Sequence, residues 1–231
     1  MRERSDSDRT DKSRLVLGLD EAGRGCVLGP LIVGGFVLRE DRLPELTSLG
    51  VRDSKLLAPA KREAIYADLL RTGACHSIPL QPNEIDQWVA RGKLNDLEAE
   101  AFALIVRRSQ AALAIVDSCD PVPRRFGRHI RRLAGVPIQV ISAHHADRDY
   151  PIVGAASIIA KVRRDRALRE LEAELGSPLG SGYPSDPATV AFLRETLRRE
   201  AHPPSWVRSS WATTERVMAE RSAHTLDEFG P

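Results

Sequence analysis

Between Leu15 and Leu38 the chain reads LVLGLDEAGRGCVLGPLIVGGFVL, two apolar runs around a turn dense in glycine. Leu15–Leu19 is short and apolar, with charge on one side and glycine beyond, the pattern of a buried strand. Leu31–Leu38, rich in Ile, Val and Phe, predicts a second strand. Gly23, Gly25, Gly29 and Pro30 between them demand a tight turn. Two carboxylates, Asp20 and Glu21, close the first run. Successive strand residues face opposite ways, so one acid points off the sheet while the other reaches round from the turn. Anions this close repel unless a proton or cation lies between them, and a divalent metal with oxygen ligands meets that need. A strand that simply ends in solvent is the alternative, and the stretch alone leaves both readings open. Gly23 and Gly25 also have the GxG spacing of a dinucleotide fingerprint. That motif needs a helix directly after the glycines, whereas here a β-branched run follows.

A length of 231 residues fits one domain, or one with a small appendage. The net charge of +2 does not by itself announce a nucleic-acid partner. Cys26, Cys75 and Cys119 are odd in number and widely spaced, without a CxxC, so neither a disulfide framework nor a structural zinc site is expected, and a reducing cytoplasm fits. No apolar run approaches membrane-spanning length, and residues 1–13 carry mixed charge without apolar periodicity, as in a disordered arm. A catalytic domain is expected over 14–200, a helical extension packing on it over 201–224, and a tail over 225–231.

Further along, Asp53-Ser54-Lys55 precedes a helical pattern opening at Pro59; Lys55 is either loop or a cation for a phosphate. Helices are expected over Pro82–Ala90 and Leu94–Gln110, the latter with Leu94, Leu97, Ala101, Leu104 and Ile105 along one side. A short strand, Ala112–Val116, ends in Asp117, with Asp120 close behind. Arg124, Arg125, Arg128, Arg131 and Arg132 follow on a helix, either a solvated face or a phosphate-contact surface. The strand Pro137–Ile141 leads into a loop holding His144, His145 and Asp147. Adjacent histidines on one loop rarely share an ion and no soft ligand is nearby, so zinc is disfavoured. A long helix from about Ile152 to Leu175 begins with small residues suited to close approach. Tyr183, between Gly182 and Pro184, is rigidly presented, either as a turn residue or as a group that stacks and hydrogen-bonds on a sugar.

Acids therefore fall at three strand ends: Asp20 with Glu21, Asp117, and the loop acid Asp147. In an α/β domain functional groups gather at one end of the sheet. Four converging carboxylates would bind two divalent ions, magnesium or manganese rather than zinc, in a site suited to phosphoryl transfer.

DEAGRG at Asp20–Gly25, the strand ending in Asp117, HHAD at His144–Asp147, YPIVGAASIIAKVRRD at Tyr150–Asp165 and SGYPSDP at Ser181–Pro187 resemble type 2 ribonuclease H (ribonuclease HII). LNDLEAEAF at Leu94–Phe102 and VRSSWAT at Val207–Thr213 extend the likeness, which is nearest the archaeal and eukaryotic branch. The resemblance implies a ribonuclease H-like α/β fold, a mixed sheet flanked by helices with a helical C-terminal part. It implies a monomer that cleaves the RNA strand of RNA–DNA hybrids and cuts 5′ to a ribonucleotide within duplex DNA, leaving a 3′-hydroxyl and a 5′-phosphate. Asp20, Glu21, Asp117 and Asp147 match the family's catalytic acids and ligands for two Mg²⁺ or Mn²⁺ ions. Gly23, Arg24 and Gly25 match the motif that reads the ribonucleotide, and Tyr183 matches the sensor of its 2′-hydroxyl, the group that separates RNA from DNA. Lys55 and the Ser157/Lys161 helix face would lie near substrate phosphates.

Three positions depart from the family pattern: Cys26 and His145 stand where proline and lysine are common, and Ala212 where lysine is. The end of the chain, Thr225–Phe229, resembles a degenerate sliding-clamp peptide with Leu226 and Phe229 as the inserting residues, Ala223 and Gly230 replacing the usual glutamine and second aromatic. Two other functions compete. A two-metal nuclease for DNA junctions would have no use for Tyr183, and a non-catalytic hybrid-binding module would not need all four acids.

Overall fold

The computed structural model describes residues 14–51 and 57–228, the last seven by backbone alone. Its centre is a five-stranded mixed sheet in the order β3-β2-β1-β4-β5, formed by β1 (Leu15–Ala22), β2 (Leu31–Arg39), β3 (Ala74–Leu80), β4 (Leu113–Asp117) and β5 (Gln139–Ala143). β1 runs antiparallel to β2, with Asp20 opposite Gly34, and parallel to β4, which is parallel to β5. The middle position of β1 accounts for its unbroken apolar run, since such strands are covered on both faces.

Nine helices are described: α1 (Leu43–Leu49), α2 (Pro59–Thr72), α3 (Pro82–Val89), α4 (Leu94–Ser109), α5 (Pro123–Ala134), α6 (Ala146–Asp149), α7 (Pro151–Leu175), α8 (Pro187–Arg199) and α9 (Ala212–Glu228). The fold class is the one expected, with local differences. β1 continues through Asp20 and Glu21 because both pair with β2. α1 was not anticipated, although Pro44 at its start and left-handed Gly50 at its end are ordinary boundary signals. Asp147 lies in the short helix α6 rather than a loop. α9 carries the backbone past Ala223 and takes in Leu226, whereas Lys55 and Phe229 lie outside the described residues. Among the described residues no helix is long and apolar enough to cross a membrane.

The chain forms two compact units. The first comprises residues up to Ala22, Ile32–Ile78 and Asn95–Arg163; the second comprises Gly23–Leu31, Pro79–Leu94 and the chain from Arg164 onward. The first unit's core joins Val16, Phe36 and Ile115 of the sheet to Ile152, Ala156 and Ile159 of α7. The small residues of α7 do what their size predicts. A Cβ on Gly34 would stand 2.5 Å from the Ala156 carbonyl oxygen, and one on Gly18 only 2.0 Å from that of Ile152. Gly18→Ala is therefore expected to cost about 3 kcal/mol, because backbone must move to admit one methyl. Equilibrium denaturation in urea reads this as a lower midpoint, and an unchanged midpoint would refute the close packing. The second unit has its own core, in which Val27 and Leu28 pack with Leu168, Leu179, Leu193 and Val207.

Candidate active site

β1 and β4 are parallel neighbours with Leu19 opposite Val116, so the next residue on each, Asp20 and Asp117, emerges at the same sheet end. Asp117 also pairs with Ala143 at the end of β5, and Ser118 N–H donates to the Ala143 carbonyl at 2.9 Å. The chain then turns through left-handed His145 into α6, whose first N–H, on Ala146, donates to Asp117 Oδ1 at 2.9 Å. That turn delivers Asp147. One carboxylate oxygen from each of Asp20, Asp117 and Asp147 lies within 4.8 Å of the others. Glu21 is half-buried and outside this cluster, as alternation along β1 requires. His144 and His145 are exposed, and the cluster holds no nitrogen or sulfur donor.

Asp20 is 3% exposed. Burial, and next the charge of Asp117, push its pKa up to about 7, against hydrogen bonds from Ser157 and from Glu21 N–H at 2.8 Å, which favour the anion. Three carboxylates, one of them held at the edge of ionisation first by burial and then by the charge of Asp117, form a site that a cation relieves, and an all-oxygen donor set fits a hard divalent ion. Ser157 is buried, and its side chain hydrogen-bonds Asp20.

The second unit assembles the other predicted residues. Gly23 has φ of +87°, which favours glycine, and a Cβ there would press on Arg164 Nε at 3.0 Å. Val27 N–H donates to the Gly182 carbonyl at 2.8 Å, tying the turn after Gly25 to the loop of Tyr183. Arg164, 1% exposed, donates from one NH2 to the carbonyls of both Leu28 and Ser181 at 3.2 Å. Arg208, fully buried, holds the carbonyls of Arg24 and Gly29. The Tyr183 ring lies 3.9 Å from where a Gly25 Cβ would stand. Its hydroxyl pairs with Cys26, and burial followed by that thiol raises its pKa to about 12. Gly23, Gly25 and Tyr183 are thus brought together, whereas Lys55 lies outside the described residues. Arg164 and Arg208 were missed as loop supports. Arg164 stands in the charged run Lys161–Arg166, and Arg208 in a polar, tryptophan-flanked stretch without regular periodicity, so neither gives a sign of burial.

The mixed sheet, its helices and the carboxylate centre place the chain in the ribonuclease H-like class of α/β enzymes. Residues 17–214 match the family model of ribonuclease HII. Ribonuclease HII of Methanothrix thermoacetophila is 45% identical over 207 residues, covering 89% of this chain and 98% of the relative. The crystal structure of ribonuclease H2 from Pyrococcus horikoshii OT3 superposes with a TM-score of 0.84 at 39% identity, covering 90% of this chain and 99% of that one. A structure of the PCNA:RNase HII complex from Archaeoglobus fulgidus gives 0.80 at 37% identity, covering 87% and 96%. The chain belongs to the ribonuclease HII family and is a ribonuclease H.

Proposed function

We propose that the chain cuts the RNA strand of RNA–DNA hybrids and incises duplex DNA 5′ to an embedded ribonucleotide, leaving a 3′-hydroxyl and a 5′-phosphate. The observation that carries this reading is the mutual approach of Asp20, Asp117 and Asp147 within 4.8 Å. These three aspartates would hold divalent metal, Mg²⁺ or Mn²⁺, with Glu21 beside them in sequence as the fourth acid. Two bound ions would activate water and stabilise the leaving oxygen in an in-line displacement. The protein's own part is positioning. Ser157 and Glu21 N–H fix the Asp20 carboxylate, and Ala146 N–H fixes Asp117. No protein nucleophile is needed.

Substrate reading falls to Gly23, Arg24 and Gly25, whose small residues let backbone approach a ribose, and to Tyr183, whose hydroxyl would meet the 2′-hydroxyl. With its pKa at about 12, Tyr183 stays protonated through any ordinary assay. Tyr183→Phe is expected to lower incision at a single ribonucleotide roughly ten- to hundredfold. Wild-type discrimination against all-DNA duplex is expected to be flat from pH 7 to 10. Steady-state cleavage of a duplex with one ribonucleotide checks both, and wild-type rates in the Phe variant would remove Tyr183 from the reading.

The Archaeoglobus complex supports a second reading, that Leu226 and Phe229 engage a sliding clamp. Purified clamp is expected to retain the wild-type chain but not Phe229→Ala, and equal retention would end the idea.

A further inference from the structure

We propose that one face of α5, carrying Arg124, Arg128 and Arg131, is a docking track for the phosphate backbone of duplex nucleic acid away from the cleavage point. The inference rests on the nuclease reading and extends it.

At 3.6 residues per turn these three arginines lie within about 60° of one another around the helix and span about 10 Å along it. All three are exposed. Of the other basic groups on α5, Arg125 pairs with Asp120 at 2.8 Å and His129 faces Asp96 at 3.4 Å, while Arg132, exposed as well, lies about 100° round the helix from Arg131 and outside the row. Arg124, Arg128 and Arg131 have no acid or acceptor among the described residues, and α5 contains no acidic residue. With Gly127 and Val140 the three line a hollow of about 240 Å³. Gly127 shapes it, since a Cβ there would stand 3.1 Å from Ser142 Cβ, so the helix sits down onto β5.

Helix stability does not explain the row. Like charges three and four residues apart repel. Arg131 near the C-terminal end is favoured by the helix dipole, but Arg124 in the first turn is opposed by it. The net charge of +2 shows that the patch is local rather than a by-product of a basic chain. Guanidinium forks at regular spacing suit phosphate oxygens, which they bind in bidentate fashion. β4 ends at Asp117 and α5 begins at Pro123, so a short loop joins the catalytic strand end to the row.

The test compares wild type with the triple variant Arg124→Gln/Arg128→Gln/Arg131→Gln on a long hybrid and on one just long enough to be cut. On the long hybrid the slope of log binding constant against log KCl is expected to fall by about 2 to 3, near 0.9 per lost phosphate contact. KM should rise ten- to hundredfold at low salt with kcat unchanged, the short hybrid should be barely affected, and the triple Lys variant should regain most of the slope. Equal slopes with KM within twofold, in a variant with wild-type melting temperature, would overturn the proposal alone. A variant that keeps hybrid binding but loses retention on polyglutamate would also overturn it, in favour of an acidic protein partner. Wild type inert on every hybrid would instead sink the nuclease reading, and the track with it.

Discussion

Asp20→Asn is expected to abolish cleavage and, in the presence of a chelator, to make the protein more stable than wild type at neutral pH. Loss of activity on the order of 10³-fold or more follows from removing a charge from the three-carboxylate cluster that would hold the metal. The gain in stability follows from the same geometry. Asp20 is almost fully buried against Asp117 and Asp147, and its pKa rises from 3.8 to about 7. Between those values the folded state holds a proton that the unfolded state has released, so stability falls as pH rises through that window and is constant above it. The loss approaches 4 kcal/mol, at about 1.4 kcal/mol per pKa unit. Asparagine has the same shape, still accepts from Glu21 N–H, and carries no charge to desolvate. Variant and wild type should therefore melt together near pH 4 and diverge by pH 7, the variant higher. Added Mn²⁺ should raise the wild-type midpoint and leave the variant's nearly unmoved. Thermal melts from pH 4 to 8 with chelator decide the matter. A variant less stable than wild type at pH 8 would mean that the hydrogen bonds to the anion outweigh its burial and repulsion.

Strand-end acids were legible because an apolar run closed by a carboxylate is a local pattern, and it occurs at both Asp20 and Asp117. Their adjacency was not. It depends on β1 and β4 pairing in parallel with Leu19 opposite Val116, across nearly a hundred residues of sequence. Likewise the motif around Asp147 pointed to a ligand, while α6 and the Ala146 N–H bond to Asp117 appear only once β4 and β5 are paired. The small residues of α7 advertised a close approach but not its target, the backbone beside Gly18 and Gly34. Arginine hides its environment most completely. Arg164 and Arg208 are fully buried, and Arg124 and Arg131 are exposed, yet all four stand in charged, helix-compatible or loop-like stretches. Carbonyl partners brought from distant loops decide which arginine is inside.

Arg208 is where that hidden burial has its largest expected effect. Its Nε and one NH2 donate to the Gly29 carbonyl at 3.2 and 3.1 Å, the other NH2 donates to that of Arg24 at 2.8 Å, and the guanidinium lies 4.9 Å from the Trp211 ring centre. Burial pulls its pKa down to about 10, so the charge persists at neutral pH. Arg208→Met keeps much of the apolar stem but leaves two carbonyls without donors, at about 1–3 kcal/mol each, and forfeits the ring contact. Relief from burying a charge offsets part of this. The carbonyls win because they belong to backbone that cannot turn to water without unfastening the Gly23–Leu28 turn, and a net loss of about 4 kcal/mol is expected. The melting temperature should fall by roughly 10 °C, and kcat/KM on a single-ribonucleotide duplex by about a hundredfold, because the turn that would read the ribose is no longer fixed. Mn²⁺ affinity should be unchanged, since Asp20, Asp117 and Asp147 belong to the other compact unit. Arg208→Lys should fall between, since one ammonium lacks the fork that reaches both carbonyls. Calorimetric melts with metal titration separate these effects. A Met variant with wild-type melting temperature and activity would show that the turn holds itself, and that Arg208 only fills space beside it.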